Sequence, residues 1–488
     1  MRANHLLHRI YPYVLTVLFA LSAGLYGAAF YPMLTADHAI HVMMAKQFDV
    51  SHSLYYWGQD RLGSLLPGLT WPLAQVVHPL YAITLVQMLV LFGAWYCWSR
   101  WLQHKHHRLL LALSLWFPPL VFDPLVAIGQ PYALMLLLWG VAFLLQRRAN
   151  GCLWRTAASF FVLGLAVYVS EAGLLAIPLM LWWLSAKLRI DKKKPFVPAL
   201  LKHLGIALAA SVPVVLLILA AKKNSTRIPI YGAKPLNTPI EALGFAQQLW
   251  NEFADQWAES VVWATPYGWA QAMALLLLLS VPLSLLLWRR LSGGELREVL
   301  LLFALFGGYL GTVLMANWPA SVPYSERFFS PLYFLGPLYL LRLTEGLRVA
   351  AFRFAASALI GLMCLIFSLR SAILILGPPP VFDDRLSAHD ARNFPIEQGA
   401  TYIGDYWNVY LLGAFFPHGV QYVPHDDDYV RHREFLHSAF QGEAIYLIAN
   451  HWMEDFPEQV LQHGYYLQRM GDPQDHRGYR FCEYRQAD

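Results

Sequence analysis

Residues 63–80 read GSLLPGLTWPLAQVVHPL, and whether this stretch crosses a bilayer decides the topology of the whole chain. It is apolar, but Pro67, Pro72 and Pro79 interrupt it. Each proline removes a helical donor and crowds the preceding turn. If residues 63–77 lie along the outer surface, the basic loops all fall on one side: the N-terminus, 100–108, 146–155, 187–198, 289–298 and 342–353. If they cross, the basic loops up to Lys194 face outward, against the positive-inside rule. The surface reading predicts an internal N-terminus, eleven spans and an external C-terminus.

Working outward, an uncharged apolar run from Tyr11 to about Tyr31 precedes the first outer loop. At 1.5 Å per residue it is long enough for a bilayer core of roughly 30 Å. Arg2 and Arg9 ahead of it give it the look of a signal peptide, but its length favours an uncleaved anchor. Further apolar runs follow at about 80–99, 109–122, 124–145, 156–170, 172–186, 199–221, 266–288, 299–316, 328–341 and 354–377. The whole chain is 57% hydrophobic and 14% charged, with mean hydropathy +0.41. Soluble proteins carry about 25% charged residues. The fold class expected is a polytopic α-helical membrane protein with about eleven transmembrane helices and a small α/β extracytoplasmic C-terminal domain. The net charge of +5 is governed by sidedness, and no nucleic-acid partner is expected.

Residues 1–377 form the expected transmembrane domain, with a first outer loop at 32–79 and a second large one at 222–265. Residues 378–488 change character: they carry no Lys and an excess of Asp and Glu. Strand-like runs (TYIGD, VQYVP, AIYLIA, YRFCEY) alternate with helix-like ones (YWNVYLLGAFF, DFPEQVLQHG), which is the pattern of a small α/β domain. HDDD at 425–428 reads as a solvated acidic turn or as a metal cluster. The four cysteines, Cys97, Cys152, Cys364 and Cys482, suggest neither a disulfide framework nor a zinc site.

The first outer loop opens with YPMLTADHAIHVMMAKQFDV and continues SHSLYYWGQDRLGS, residues 31–64. A carboxylate at a span boundary costs desolvation and calls for a reason. Asp37 and His41, four apart, share a face if a helix starts here; Thr35 or Asp37 would then serve equally as its cap. The other ionisable residues near span ends are Asp123, Glu171, Lys222, Lys223 and Arg327, while the span interiors are nearly free of charge. Transporters place ionisable groups near the midplane instead. Each of these residues has a plain alternative. Asp123 can stop a helix before Pro124, Glu171 can sit in a tight turn, Lys222 and Lys223 can meet lipid headgroups, and Arg327 can pair with Glu326. Taken together they suggest transfer from a phosphate-bearing lipid. Asp37 takes the acceptor's proton, and Arg327, helped by Lys222 or Lys223, holds the phosphate. Gln59, Asp60, His41, Asp123 and Glu171 complete the substrate-facing set. The stretch IEALGFAQQLWNEFADQWAESVVW in the second loop is amphipathic and suited either to lie on the membrane over the site or to form an ordinary surface helix.

Three segments carry a family resemblance: ADHAIHVMMA followed by YYWGQDRLGS, YSERFFSPLYFL at 324–335, and GDYWNVYLLGAFF at 404–416. With these, the chain resembles the glycosyltransferase C superfamily. That group includes bacterial polyprenyl-phosphate-dependent glycosyltransferases, related to protein O-mannosyltransferases and aminoarabinose transferases. The resemblance implies a sugar donor linked to polyprenyl phosphate, an envelope acceptor, and reaction at the outer face of a bacterial cytoplasmic membrane with inversion. It places Asp37 as the first-loop acid and Arg327 near the carrier phosphate. The chain departs from the pattern at His38, where many relatives have Glu, and at Asp60 and Arg61. No cofactor is implied. A divalent metal held by Asp37, His38 and His41 would lack a clear fourth ligand. The rival expectation is a non-enzymatic scaffold or flippase partner for polysaccharide or lipid export.

Overall fold

The computed structural model describes residues 2–148, 152–190, 195–225, 236–258, 291–317, 319, 325–347, 350–377, 385–442 and 444–487. The membrane part begins with α1 (Arg2–Tyr26), α2 (Ala36–Lys46), α3 (Leu65–Ala74), α4 (Pro79–Ser99) and α5 (Lys105–Trp116). A 3-10 turn (Leu120–Leu125) leads to α6 (Tyr132–Arg147) and α7 (Leu153–Val169). A second turn (Glu171–Leu175) leads to α8 (Ala176–Ile190), α9 (Phe196–Asn224) and α10 (Pro239–Ala258). After α11 (Gly293–Met315), the turn Ser325–Phe329 precedes α12 (Ser330–Glu345) and α13 (Ala350–Leu376). Among the described residues, six helical segments are long and apolar enough to cross a membrane: Arg9–Tyr26, Pro79–Ser99, Glu171–Arg189, Phe196–Asn224, Gly293–Met315 and Ala350–Leu376. Shorter apolar helices pack among them. The run at 266–288 lies outside the described residues.

The opening stretch forms a short helix rather than one of span length. Its helix α3 has only 10 residues, about 15 Å at 1.5 Å per residue, half of a bilayer core. The run read from 124 becomes helical only at Tyr132, because Pro124 and Pro131 block the earlier start.

One end of the bundle gathers charge. Arg147 bonds Glu298 at 2.7 Å, and Glu298 bonds Arg342 at 3.0 Å. Arg342 reaches Glu345 at 3.4 Å, which in turn bonds His107 at 3.0 Å. Lys187 donates to the Arg147 carbonyl at 2.9 Å. Arg342 is almost fully buried, as are His107 and Glu345. Removing one partner from such a network typically costs about 3–5 kcal/mol, because it strands a buried charge. These contacts bring His107, Arg147, Lys187, Glu298, Arg342 and Glu345, drawn from five of the basic loops and their flanks, to a common end.

At the opposite end sits a seven-stranded sheet. Its order is β2 (Gln421–Pro424), β1 (Thr401–Gly404), β3 (Ile445–Ile448), β7 (Tyr479–Gln486), β5 (Tyr465–Arg469) and β4 (Gln459–Gln462), with β6 (Gln474–His476) beside β7. β1 runs parallel to β2 and β3, and the remaining pairs are antiparallel. Short helices α14 (Ala388–Arg392), α15 (Tyr406–Phe415) and α16 (Glu434–Ala439) flank it. The four strand-like runs are strands and YWNVYLLGAFF is a helix. DFPEQVLQHG is not helical: it forms β4, which turns through His463 (φ 49°) and Gly464 (φ 87°) into β5. Pro457 and this left-handed turn override the helix-like spacing of its apolar residues.

The sheet is docked on the bundle. α15 packs along α2, His78 at the start of α4 bonds the Phe415 carbonyl at 3.1 Å, and Arg392 donates to the Ala29 carbonyl at 2.7 Å.

Candidate active site

The candidate site forms where the segment 31–64 meets the C-terminal ends of the parallel strands. In open α/β sheets this is the edge at which ligands bind. Helix α2 is capped by Thr35, whose backbone N–H donates to His38 Nδ1 at 3.0 Å. His38 thus takes the place that Glu or Gln holds in a capping box. The Asp37 carboxylate is left free of capping duty and sits in the first helical turn, where the helix dipole favours negative charge.

Asp37 is instead gripped by tyrosines. Tyr406 donates to Asp37 Oδ1 at 2.7 Å, and Tyr56 donates to the same oxygen at 3.4 Å. Both tyrosines are buried. Burial, with the neighbouring Asp37 charge adding to it, pushes both phenols well above their ordinary range. They stay protonated and remain donors. No hydrogen bond reaches Oδ2 of Asp37 among the described residues, so one carboxylate oxygen is oriented and the other is open to a substrate proton.

Local sequence explains how each group arrives. Asp405 ends β1 and caps α15 by accepting from the Trp407 N–H at 2.8 Å, which fixes Tyr406 at the first helical position. Tyr56 is set by the loop 55–63, closed by a bridge between Tyr55 and Gly63. Gly58 adopts φ 73° in that loop. Gly63 donates to the Tyr168 carbonyl at 2.9 Å, and a Cβ there would lie 2.5 Å from that oxygen. The two glycines of the YYWGQDRLGS motif therefore serve a left-handed turn and a close approach.

His41 extends the same face: its Nδ1 is 3.0 Å from the Asp37 carbonyl, and its ring lies 4.9 Å from that of Tyr56. It also lines a cavity of about 30 Å³ with Gly63, Leu66, Gln87 and Gly129. Burial lowers the His38 pKa to about 4, against the opposing pull of Asp37, and lowers that of His41 as well. Both rings are neutral at pH 7. With Nδ1 of each already engaged, ligation of a metal would fall to their Nε2 atoms. No group of three or more His, Cys, Asp or Glu with metal-binding geometry occurs among the described residues.

The other residues singled out in the sequence separate into groups. Asp123, in the turn before α6, accepts from the Tyr31 hydroxyl, and burial raises its pKa to about 7. The turn carrying Arg327 packs against that turn. Arg327 is half-buried, with its guanidinium 5.1 Å from the Phe328 ring centroid, and its Nε finds no partner among the described residues. The Glu326 side chain, its alternative partner, lies outside the described residues. Glu171, exposed in the turn between α7 and α8, and Asp60 both act on Tyr55. Burial first, then Tyr168 and these two charges, pushes the Tyr55 phenol up to about 12. Gln59 Oε1 is buried without a partner among the described residues. Lys222 and Lys223 are exposed on the last turn of α9, and no contact ties them to Asp37 among the described residues. The amphipathic stretch forms α10 as far as Ala258, and residues 259–263 lie outside the described residues; the helix is anchored where Asn237 donates to the Met315 carbonyl at 2.7 Å, and Ile240 and Leu243 on it are exposed.

Sequence reasoning missed Tyr56, Tyr406 and Arg431. The only signal for Tyr406 was its place in GDYWNVY. Arg431 follows the HDDD turn, and its Nη2 lies 3.5 Å from the Tyr406 hydroxyl. In that turn Asp427 pairs with Arg433 at 3.2 Å and lies 3.4 Å from His463 Nδ1.

No family model matches the chain, and no curated protein matches it. Among solved structures, the chain is similar to the arabinosyltransferase EmbB from Mycobacterium smegmatis, at 14% identity and TM-score 0.43, over 74% of this chain and 37% of that one. It therefore spans little more than a third of that protein's length. It is also similar to ArnT from Cupriavidus metallidurans bound to undecaprenyl phosphate, at 11% identity and TM-score 0.48, over 90% of this chain and 92% of that one.

Proposed function

We propose that this protein is a membrane glycosyltransferase. It moves a sugar from a polyprenyl-phosphate carrier to an envelope acceptor at the outer face of the cytoplasmic membrane. The observation that carries this reading is Asp37. Its carboxylate stands at the sheet-bearing end of the bundle, with one oxygen held by Tyr406 and Tyr56 and the other open.

Asp37 acts as general base. It takes the proton of an acceptor hydroxyl or amine as that atom attacks the anomeric carbon. The new bond to the sugar forms while the bond from the sugar to the carrier phosphate breaks, and its electron pair leaves on the phosphate. Arg327 neutralises that charge, and its bidentate fork suits phosphate. A single displacement with one base inverts the anomeric centre. Lys222 and Lys223, exposed on the outer turn of α9, suit the headgroup layer.

Eleven spans, an internal N-terminus and a domain boundary at 377/378 complete the proposal. The convergence of the basic loops on one end of the bundle supports this topology. A reporter fused after Gln441 is expected to read as external and one at Lys193 as cytoplasmic; an internal Gln441 reporter would remove Asp37 from the outer face. The reaction is tested by giving purified protein a polyprenyl-phosphate sugar and a candidate acceptor. Transfer of the sugar, with release of polyprenyl phosphate, is expected, and no consumption of donor across envelope acceptors would leave the scaffold reading standing.

A further inference from the structure

Arg431 lies in the segment between β2 and α16. Its side chain is only 6% exposed. A buried guanidinium calls for an anion or a full set of acceptors. Arg431 has neither among the described residues. Its Nη2 meets the Tyr406 hydroxyl at 3.5 Å, the edge of hydrogen-bonding range. Its guanidinium lies 5.1 Å from the Tyr406 ring centroid. Both Nε and Nη1 are buried with no partner. Nε and Nη1 each share a donating edge of the guanidinium with Nη2, whose one bond is the marginal one to Tyr406, so either edge is available to grip an oxyanion bidentately.

A second donor stands beside it. The Tyr410 hydroxyl accepts from the Arg431 backbone N–H at 2.8 Å, and its own proton has no acceptor among the described residues. Tyr410 is buried too. Through Tyr406, this pair is one hydroxyl removed from the Asp37 carboxylate. The Asp37 charge acts on Arg431 at a distance but makes no ion pair with it among the described residues, so the guanidinium nitrogens stay available.

We propose that Arg431 and Tyr410 form an oxyanion subsite for the acceptor, which carries a phosphate or carboxylate group close to its attacking hydroxyl or amine. The existence of the subsite stands on burial and unpaired donors alone. Its assignment to the acceptor rests on Asp37 being the general base. Arg431 belongs to the sheet side of Asp37, on the segment between strand β2 and α16. Arg327 stands apart on the bundle side, against the turn 120–125. A lipid-borne donor phosphate is served by Arg327, which leaves Arg431 to the partner arriving from the water side.

The test uses the full-length protein in lipid nanodiscs, with inorganic phosphate and glucuronate as soluble probes and polyprenyl phosphate as the lipid-borne one. Wild type is expected to melt at higher temperature with millimolar phosphate or glucuronate. Arg431→Gln should lose that response while its affinity for polyprenyl phosphate changes less than about threefold. Arg431→Lys keeps the charge without the fork and covers the case in which the Gln variant does not accumulate. It should need about tenfold more phosphate for the same shift. A Gln or Lys variant that responds like wild type overturns the subsite. A Gln variant that loses polyprenyl phosphate about tenfold assigns the oxyanion to the donor and overturns the acceptor assignment. None of these readings needs turnover, so they stand apart from the failure or success of Asp37 as base.

Discussion

The hydroxyl of Tyr406 donates a 2.7 Å hydrogen bond to Asp37, a residue 369 positions earlier in the chain. The proposed general base lies on α2, and the hydroxyl that would aim it lies on α15, the helix that follows β1. On that proposal the C-terminal domain is part of the reaction centre rather than an appendage.

Removing that hydroxyl tests the coupling. Tyr406 orients the Asp37 carboxylate, and a misplacement of about 1 Å can cost on the order of 10²-fold, so Tyr406→Phe is expected to slow turnover by about 10–100-fold. Donor binding should be little changed, and Tyr56→Phe should cost less, since its bond is 3.4 Å long. Steady-state kcat and donor affinity on matched protein check this. A larger loss in Tyr56→Phe than in Tyr406→Phe would reverse the assignment.

Arg327 is the proposed phosphate holder. Lys keeps its charge but presents a point-like ammonium, so Arg327→Lys should reduce turnover by about tenfold or more. Donor-consumption rates at saturating donor decide it. A wild-type rate in the Lys variant would make Arg327 a packing residue over Phe328.

Much of this was legible in sequence, for definable reasons. A lone carboxylate at the end of an uncharged run stands out, so the sequence singles out Asp37. Charges at other helix ends look the same in one dimension, so Lys222, Lys223 and Glu171 are grouped with it, although no contact ties them to Asp37 among the described residues. Tyr406 fell inside a motif, but its contact with Asp37 depends on docking α15 along α2, which no local pattern encodes. Arg431 sits in an irregular segment with no periodicity, and its significance lies in burial alone. The strand β4 was hidden because its turn depends on a left-handed His463–Gly464 pair rather than on its apolar spacing.

The half-buried His38 predicts a pH dependence. Burial lowers the His38 pKa from 6.5 to about 4. Between these values the unfolded chain binds a proton that the folded chain does not, so stability falls as pH drops from about 6.5 toward 4. The melting temperature of the solubilised protein should decline across that window, and decline less in His38→Gln, which still offers Thr35 an acceptor. Parallel declines in both proteins would show that another group sets the acid limit.

Asp37→Asn tests the central claim most directly. Asn retains the size of Asp and an oxygen for Tyr406, but cannot take a proton. Positioned general bases contribute about 10²–10⁴-fold. The measurement is donor consumption by matched amounts of purified wild type and Asn variant, with polyprenyl-phosphate binding recorded in parallel. The account predicts normal binding and a loss of transfer in that range, whereas near-normal turnover in the Asn variant would contradict it.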